Sequence, residues 1–385
     1  MPHSEDLRYH WLEAPAELTE LCQKWSRQGA VALDTEFVRT DTFFPKPGLI
    51  QLADGEEHYL IDPLHLADHE AFRALLLNPG VTKVLHACSE DLEVFRVCFG
   101  VLPAPLFDTQ LAAAFCGYGF SVGYANLVKA MFNVELPKDA TRSDWLARPL
   151  GEVQKRYAAL DVAHLLLVYG KLLTQLKSSE RLPWVLEDCQ NMLDQATDTQ
   201  LVDEDYYLKL KLAWKLNRPS LAVLKAVCRW REEEARRSNV PRNRIAKDAV
   251  LQAIAEIKPP HLAKLSTVDG IHGRFLREYG AHIVALVHDT LAADQSSWPP
   301  RIAKPLPPTV GDMNKALKER VNQVAEGLDL PAEVLVRKAD MQVLLRSLYE
   351  GREPELSARL GSGWRRSVIG DELLDSAEQF TAVNR

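Results

Sequence analysis

Two carboxylates placed two residues apart inside an apolar run constrain this chain more than any other feature. The run is "VALDTEF", residues 31–37, and its β-branched and large apolar residues read as a buried strand. Side chains alternate across a strand, so Asp34 and Glu36 project from one face. Like charges so placed repel, and burying an unpaired carboxylate is costly. Any fold this chain adopts must offset that cost at that place.

Strand patterns cluster early. "AVALDTEFV" is followed by "LIQLAD" and, after the turn-forming Asp54-Gly55, by "HYLIDP"; "VTKVLHA" is a further apolar strand. Helical segments are expected near 67–77 and, as a long buried helix, near 152–176. Strands first, then helices interleaved, predict an α/β domain whose mixed sheet is covered by helices. From about residue 180 helical periodicity dominates, as in "LAVLKAVCRWREEEARR", and no strand run remains. Pro-rich "SSWPPRIAKPLPPT" reads as a linker. The expected organisation is an α/β domain over 1–200, a helical domain over 201–295, a linker over 296–308 and a second helical domain over 309–385.

Composition narrows the class. The opening "MPHSEDLRYHW" lacks the basic and apolar regions of a secretory signal, and no apolar run is expected to reach the roughly 18–20 residues of a membrane span. The six cysteines form no C-x-x-C pair, so reduced thiols are expected instead of a disulfide frame or zinc site. "GYGFSVG" at 117–123 fails the G-x-G-x-x-G spacing and "GSGWRRS" is no phosphate loop, which argues against a nucleotide triphosphatase. Net charge is −7, but it is unevenly spread. Residues 1–200 hold 17 basic against 28 acidic side chains, whereas 209–247 hold 12 Lys and Arg against 3 Glu. An acidic half beside a basic segment suits a cation-charged site next to an anion-binding surface. The alternative for the basic segment is a solvated helix face around Glu232, Glu233 and Glu234.

A second anomaly lies in "YAALDVAHLLLVY", residues 157–169, where Asp161 interrupts a helix apolar nearly all round. No Lys or Arg stands one turn away to neutralise it; His164 at i+3 offers a buried pair as the structural alternative. Tyr157 lies one turn earlier on the same face. Divalent ions such as Mg²⁺ or Mn²⁺ bind carboxylate oxygen and substrate phosphate, and two of them can clamp an in-line displacement at phosphorus. An Arg from elsewhere in the fold, or a merely stabilising Ca²⁺, remains open on these residues alone.

The segments "VALDTEFVRTDTFFPKPGLIQLA", "VLHACSEDLEVF" and "SDWLARPLGEVQKRYAALDVAHLL" resemble the bacterial ribonuclease D family. That family is a tyrosine-bearing branch of the DEDD superfamily of 3′→5′ exonucleases. The resemblance covers about residues 20–180 and implies a ribonuclease H-like exonuclease domain. It implies that Asp34, Glu36, Asp91 and Asp161 hold two divalent metal ions and that Tyr157 positions the attacking water. Asp34, Glu36 and Asp161 would hold one ion, and Asp34 with Asp91 the other. The implied activity is metal-dependent 3′→5′ exoribonuclease action releasing nucleoside 5′-monophosphates from tRNA precursors and other small structured RNAs. A DNA exonuclease of the same superfamily and a non-catalytic RNA-binding scaffold are the alternatives. By local sequence alone, Asp91 reads equally as a first-turn helix acid after Ser89, Glu90 as solvated and Asp108 as an N-cap. His86 and His164 read as core or supporting residues. Phe37 reads as core or as a base-stacking group, and Gln51 as a substrate contact or a sheet-satisfied amide.

Residues 218–287 are similar to HRDC domains, small helical nucleic-acid-binding modules, and 309–380 resembles a diverged second copy. The candidate phosphate contacts are Lys225, Arg229, Arg236, Arg237, Arg242, Arg244 and Lys247. A cytoplasmic monomer acting on RNA, without a membrane, completes the expectation.

Overall fold

A computed structural model describes residues 7–66, 69–137, 143–198 and 203–383. They form two compact units, one comprising 7–38, 46–197 and 306–383, the other 39–45, 198 and 203–305.

The first unit is built on a six-stranded sheet of order β1-β4-β3-β2-β5-β6. Its strands are β1 (His10–Leu12), β2 (Ala30–Val38), β3 (Lys46–Ala53), β4 (His58–Ile61), β5 (Thr82–Leu85) and β6 (Leu106–Asp108). β2 runs antiparallel to β3 and parallel to β5, so the sheet is mixed as expected. The β3–β4 hairpin turns where the sequence places it. Gly55 takes φ +92°, and Asp54 Oδ1 accepts the amides of Glu56 and Glu57.

Helices cover both faces: α1 (Pro15–Trp25), α2 (Ser89–Phe99), α3 (Thr109–Phe115), α4 (Tyr124–Phe132), α5 (Glu152–Ala163), α6 (Leu165–Ser178) and α7 (Leu182–Asp198). The long helix expected near 152–176 is interrupted at His164. Taken together, Glu152–Ser178 is long and apolar enough to cross a membrane by length and composition, contrary to the expectation that no such run exists. Its apolar residues serve the core instead. Ala158, Ala159, Val162, Leu165, Val168, Leu172 and Leu176 are buried, and α5 packs on β2, β3 and β4.

The second unit carries α8 (Arg218–Ser238), α9 (Arg242–Ile245), α10 (Asp248–Ile257) and α11 (Ala281–Ala292), the last entered through a π turn over Leu276–Gly280. Residues 306–383 repeat that order with α12 (Gly311–Gly327), α13 (Ala332–Leu335), α14 (Lys338–Tyr349) and α15 (Asp371–Val383), again after a π turn over Arg366–Gly370. No strand follows Asp108 among the described residues. The expected 200/201 junction lies outside the described residues.

The C-terminal helices were expected as a body of their own, yet they share the first unit's core. A buried ion pair explains this. Arg365 donates to both oxygens of Asp188 on α7 at 2.5 and 2.6 Å, and Trp364 stacks on Trp184 at 4.7 Å. Breaking a buried pair leaves an uncompensated charge. Arg365→Ala is therefore expected to lower the unfolding free energy of this unit by about 3–5 kcal/mol in urea denaturation.

Candidate active site

The C-terminal half of β2 carries the acids. Alternation puts Asp34 and Glu36 on one face, with Asp34 opposite Gln51 and Glu36 opposite Leu49 across the antiparallel register. A β-bulge follows between Glu36 and Phe37, ending the regular pairing just past the acids. Phe37 is half-buried there.

Asp91 arrives from α2, which starts after β5. It lies in the helix's first turn, as its local sequence reads, but it is also buried and accepts a hydrogen bond from the Thr35 hydroxyl. The segment before it is held by Asp108. Ala87 adopts φ +56°, uncommon for a residue with a side chain. The amides of Ala87 and Cys88 donate to Asp108 Oδ1 and Oδ2 at 3.2 and 2.9 Å. Asp108 Oδ1 also accepts Gln110 and Leu111 N–H, which makes it the N-cap of α3. One buried carboxylate thus fixes two loops.

α5 brings Tyr157 and Asp161 over β2 and β3. The "SDW…RPL" segment locks that helix. Arg148 donates to both oxygens of Asp62 at 2.7 and 2.8 Å and to the Gly48 carbonyl at 2.7 Å. Trp145 approaches so closely that a Cβ on Gly48 would sit 2.7 Å from its Cβ and carbonyl oxygen, so only glycine fits. Trp145 in turn lies 6.2 Å, ring to ring, from Tyr157. Another tyrosine, Tyr124 on α4, is near enough to Asp161 and Asp34 for their charges to act on its phenol, and its hydroxyl accepts the His164 amide at 3.1 Å. The "GYGFSVG" loop before it is pinned at Val122, whose carbonyl accepts from the Gln110 side chain and faces His86 Nε2 at 3.0 Å.

The electrostatics are those of crowded anions. Burial, then Asp91, Asp161 and Glu36, pushes Asp34 well above the usual carboxylate range. Burial, then Asp161 and Asp91, raises Glu36 to about 8. Burial raises Asp161 to about 7 against the opposing influence of the Tyr157 hydroxyl, and raises Asp91 to about 6 against that of Thr35. No Lys or Arg forms an ion pair with any of the four among the described residues. The Asp161–His164 pair does not form either; His164 Nδ1 is buried without a partner. Asp34, Glu36, Tyr157 and Asp161 each keep some solvent access, so the cluster can be reached from outside. Among the described residues no three acids, histidines or cysteines close into a preformed metal cage. An open set of hard oxygen donors is nonetheless the kind that suits Mg²⁺ or Mn²⁺, which retain water and take phosphate oxygens as further ligands.

Sequence reasoning missed Thr35, Tyr124, Trp145 and the second task of Asp108. Only the aromatic character of Trp145 and the position of Thr35 between two acids gave any signal.

The seven basic candidates divide. Arg236 and Arg242 converge on Glu232, which is buried, and both lie over the Phe43 ring. Arg237 pairs with Glu234, Arg229 with Glu204 and Glu233, and Lys225 with Glu204. Arg244 and Lys247 are exposed and carry no ion pair among the described residues. Glu232 and Glu234 are buried, not solvated, whereas Glu233 between them is exposed.

Comparison with known proteins places the fold. A 3′-5′ exonuclease family model matches residues 9–177 and an HRDC domain model matches 220–287. The chain is 44% identical over 368 residues to ribonuclease D of Pseudomonas paraeruginosa, covering 96% of this chain and 97% of the relative. It is 36% identical to ribonuclease D of Escherichia coli, covering 97% and 100%. The crystal structure of Escherichia coli RNase D, described as an exoribonuclease involved in structured RNA processing, superposes with a TM-score of 0.88 over 97% of this chain and all of that one. Fold and site thus define a 3′-5′ exonuclease with an HRDC region. The chain belongs to the ribonuclease D family and is an exoribonuclease.

The raised acids carry a stability consequence. Their folded-state values lie above the roughly 4 of unfolded carboxylates, so the stability they contribute is present below pH ~4 and lost as pH rises towards 8. Asp34→Asn removes one of the repelling charges. In chelator it is expected to melt above wild type at pH 8, with the difference shrinking below pH 5 in a thermal-melt series.

Proposed function

We propose that the chain hydrolyses the terminal phosphodiester of an RNA 3′ end in a reaction that depends on two divalent cations, Mg²⁺ or Mn²⁺, and releases nucleoside 5′-monophosphates. Its substrates would be tRNA precursors and other small structured RNAs, met in the cytoplasm by a monomer. The observation that carries this reading is the convergence of Asp34, Glu36, Asp91 and Asp161 without a Lys or Arg partner among the described residues.

When bound, the cations would supply positive charge to the scissile phosphate and make water a stronger nucleophile. Asp34, Glu36 and Asp161 would hold one, and Asp34 with Asp91 the other. Tyr157 orients water and does not act as a base. Burial, then the Asp161, Glu36 and Asp34 charges, pushes its phenol above the ordinary value near 10, so at neutral pH it keeps its proton and donates. Thr35 and Asp108 keep Asp91 in place, and the Arg148–Asp62 clamp does the same for Tyr157 through Trp145.

The sugar is the point on which the DNA-directed alternative differs, since carboxylates do not sense a 2′-hydroxyl. Membership in the ribonuclease D family favours RNA. Asp34→Ala and Asp161→Ala are each expected to abolish product release from a 3′-extended tRNA while leaving the circular dichroism spectrum intact, as is adding chelator to wild type. Sizing the products, with matched RNA and DNA oligonucleotides beside them, checks this; retained hydrolysis in either variant would overturn the assignment.

In the HRDC region, Arg244 and Lys247 are the side chains best placed to meet phosphate. Arg236 and Arg242 serve chiefly to neutralise Glu232. Arg244→Ala and Lys247→Ala should each weaken RNA binding and reduce the slope of log affinity against log salt by about 0.7–1. Arg242→Ala should lower stability instead. Filter binding at several salt concentrations, beside thermal melts, separates the two.

A further inference from the structure

We infer that Gln51 is a positioning residue for Asp34, donating from its carboxamide to a carboxylate lone pair that the cations leave free. The inference rests on reading Asp34 as a cation ligand. Gln51 is the β3 residue directly opposite Asp34, so the two Cβ atoms stand about 5 Å apart on one sheet face. Its side chain is fully buried, and neither Oε1 nor Nε2 has a hydrogen-bond partner. Across the other edge of β3 it pairs with Leu60, which packs with Leu49, Trp145, Ala158 and Ala159 in a largely apolar cluster, none of whose side chains bonds the amide.

A glutamine buried in that way is worse for folding than a leucine or methionine, because its donors and acceptor are desolvated without return. Asp34 has the complementary lack. Around it stand Asp91, Asp161 and Glu36, with the Thr35 amide as a favourable contact. Gln51 supplies an uncharged N–H on the same face. A carboxylate shared by two cations keeps a spare lone pair on each oxygen, and an amide donor placed there fixes the ligand's orientation without competing for the ions. The orphaned amide and the unsupported carboxylate are therefore two halves of one hydrogen bond, completed when cations draw the acids together.

Calorimetric titration of the full chain with Mn²⁺ alone, without RNA, tests this. Gln51→Met keeps length and removes the amide; it is expected to weaken Mn²⁺ binding about 10–100-fold. Its cation-free melting temperature should equal or exceed wild type, since the orphaned groups are gone. Gln51→Asn retains the amide but withdraws it by one methylene, and the same weakening is expected. At saturating Mn²⁺, KM for RNA should stay unchanged in both variants, since the amide acts on the ligand and not on the substrate. Unaltered Mn²⁺ affinity in folded Gln51→Met or Gln51→Asn would overturn the role of Gln51 while leaving the proposed function standing. So would a lower cation-free melting temperature for Gln51→Met, which would mark the amide as structural. A wild-type chain that neither binds Mn²⁺ nor hydrolyses RNA would overturn both.

Discussion

Mutual repulsion among four carboxylates is the constraint around which the first unit is organised. Asp34 and Glu36 are forced together by strand periodicity, and Asp91 and Asp161 are brought to them by two different helices. Left to themselves such groups would separate or protonate. They are held by a scaffold that over-determines each position. Backbone pairing to β3 holds the β2 acids, the Thr35 hydroxyl and the Asp108-braced turn hold Asp91, and the packing of α5 on the sheet holds Asp161. The hydrophobic core is in this sense the counterweight to a locally unfavourable site.

The supporting groups are mostly polar residues with fixed geometry, and each ties one segment to another. Asp108 links the turn before α2 to the start of α3. Arg148 links the segment before α5 to the hairpin strands through Asp62 and Gly48. Arg365 and Asp188 do the same for the C-terminal helices. In the second unit, charge that looked available for RNA is largely consumed internally. Arg236 and Arg242 answer the buried Glu232, and their guanidinium groups cover Phe43 from the segment between β2 and β3. A run of basic residues therefore overstates the surface potential of its helix.

Reading the chain as a sequence succeeded where the signal is local and periodic. The two acids on one strand face, the Asp54-Gly55 turn, the N-cap at Asp108 and the switch from strands to helices all follow from rules that act within a few residues. It fell short where a role depends on a partner distant in the chain. Nothing near Glu232 announces that two arginines will bury it, and Trp145 reveals its service to Tyr157 only when Gly48 is seen beneath it. The independence expected of the C-terminal helices failed for the same reason. The bidentate pair that merges them with the first unit spans 177 residues of sequence.

What the amino-acid order determined without help is the chemistry present: an anomalous pair of acids, a second acid in an apolar helix with a phenol one turn before it, and the family pattern that unites them. What only the tertiary structure decided is which charges are answered and which are left. Asp34, Glu36, Asp91 and Asp161 meet without a counter-charge, whereas most of the basic candidates find one. Compensation of charge is a matter of distance in space, through Coulomb attraction and desolvation, and a linear chain carries those distances only after it has folded.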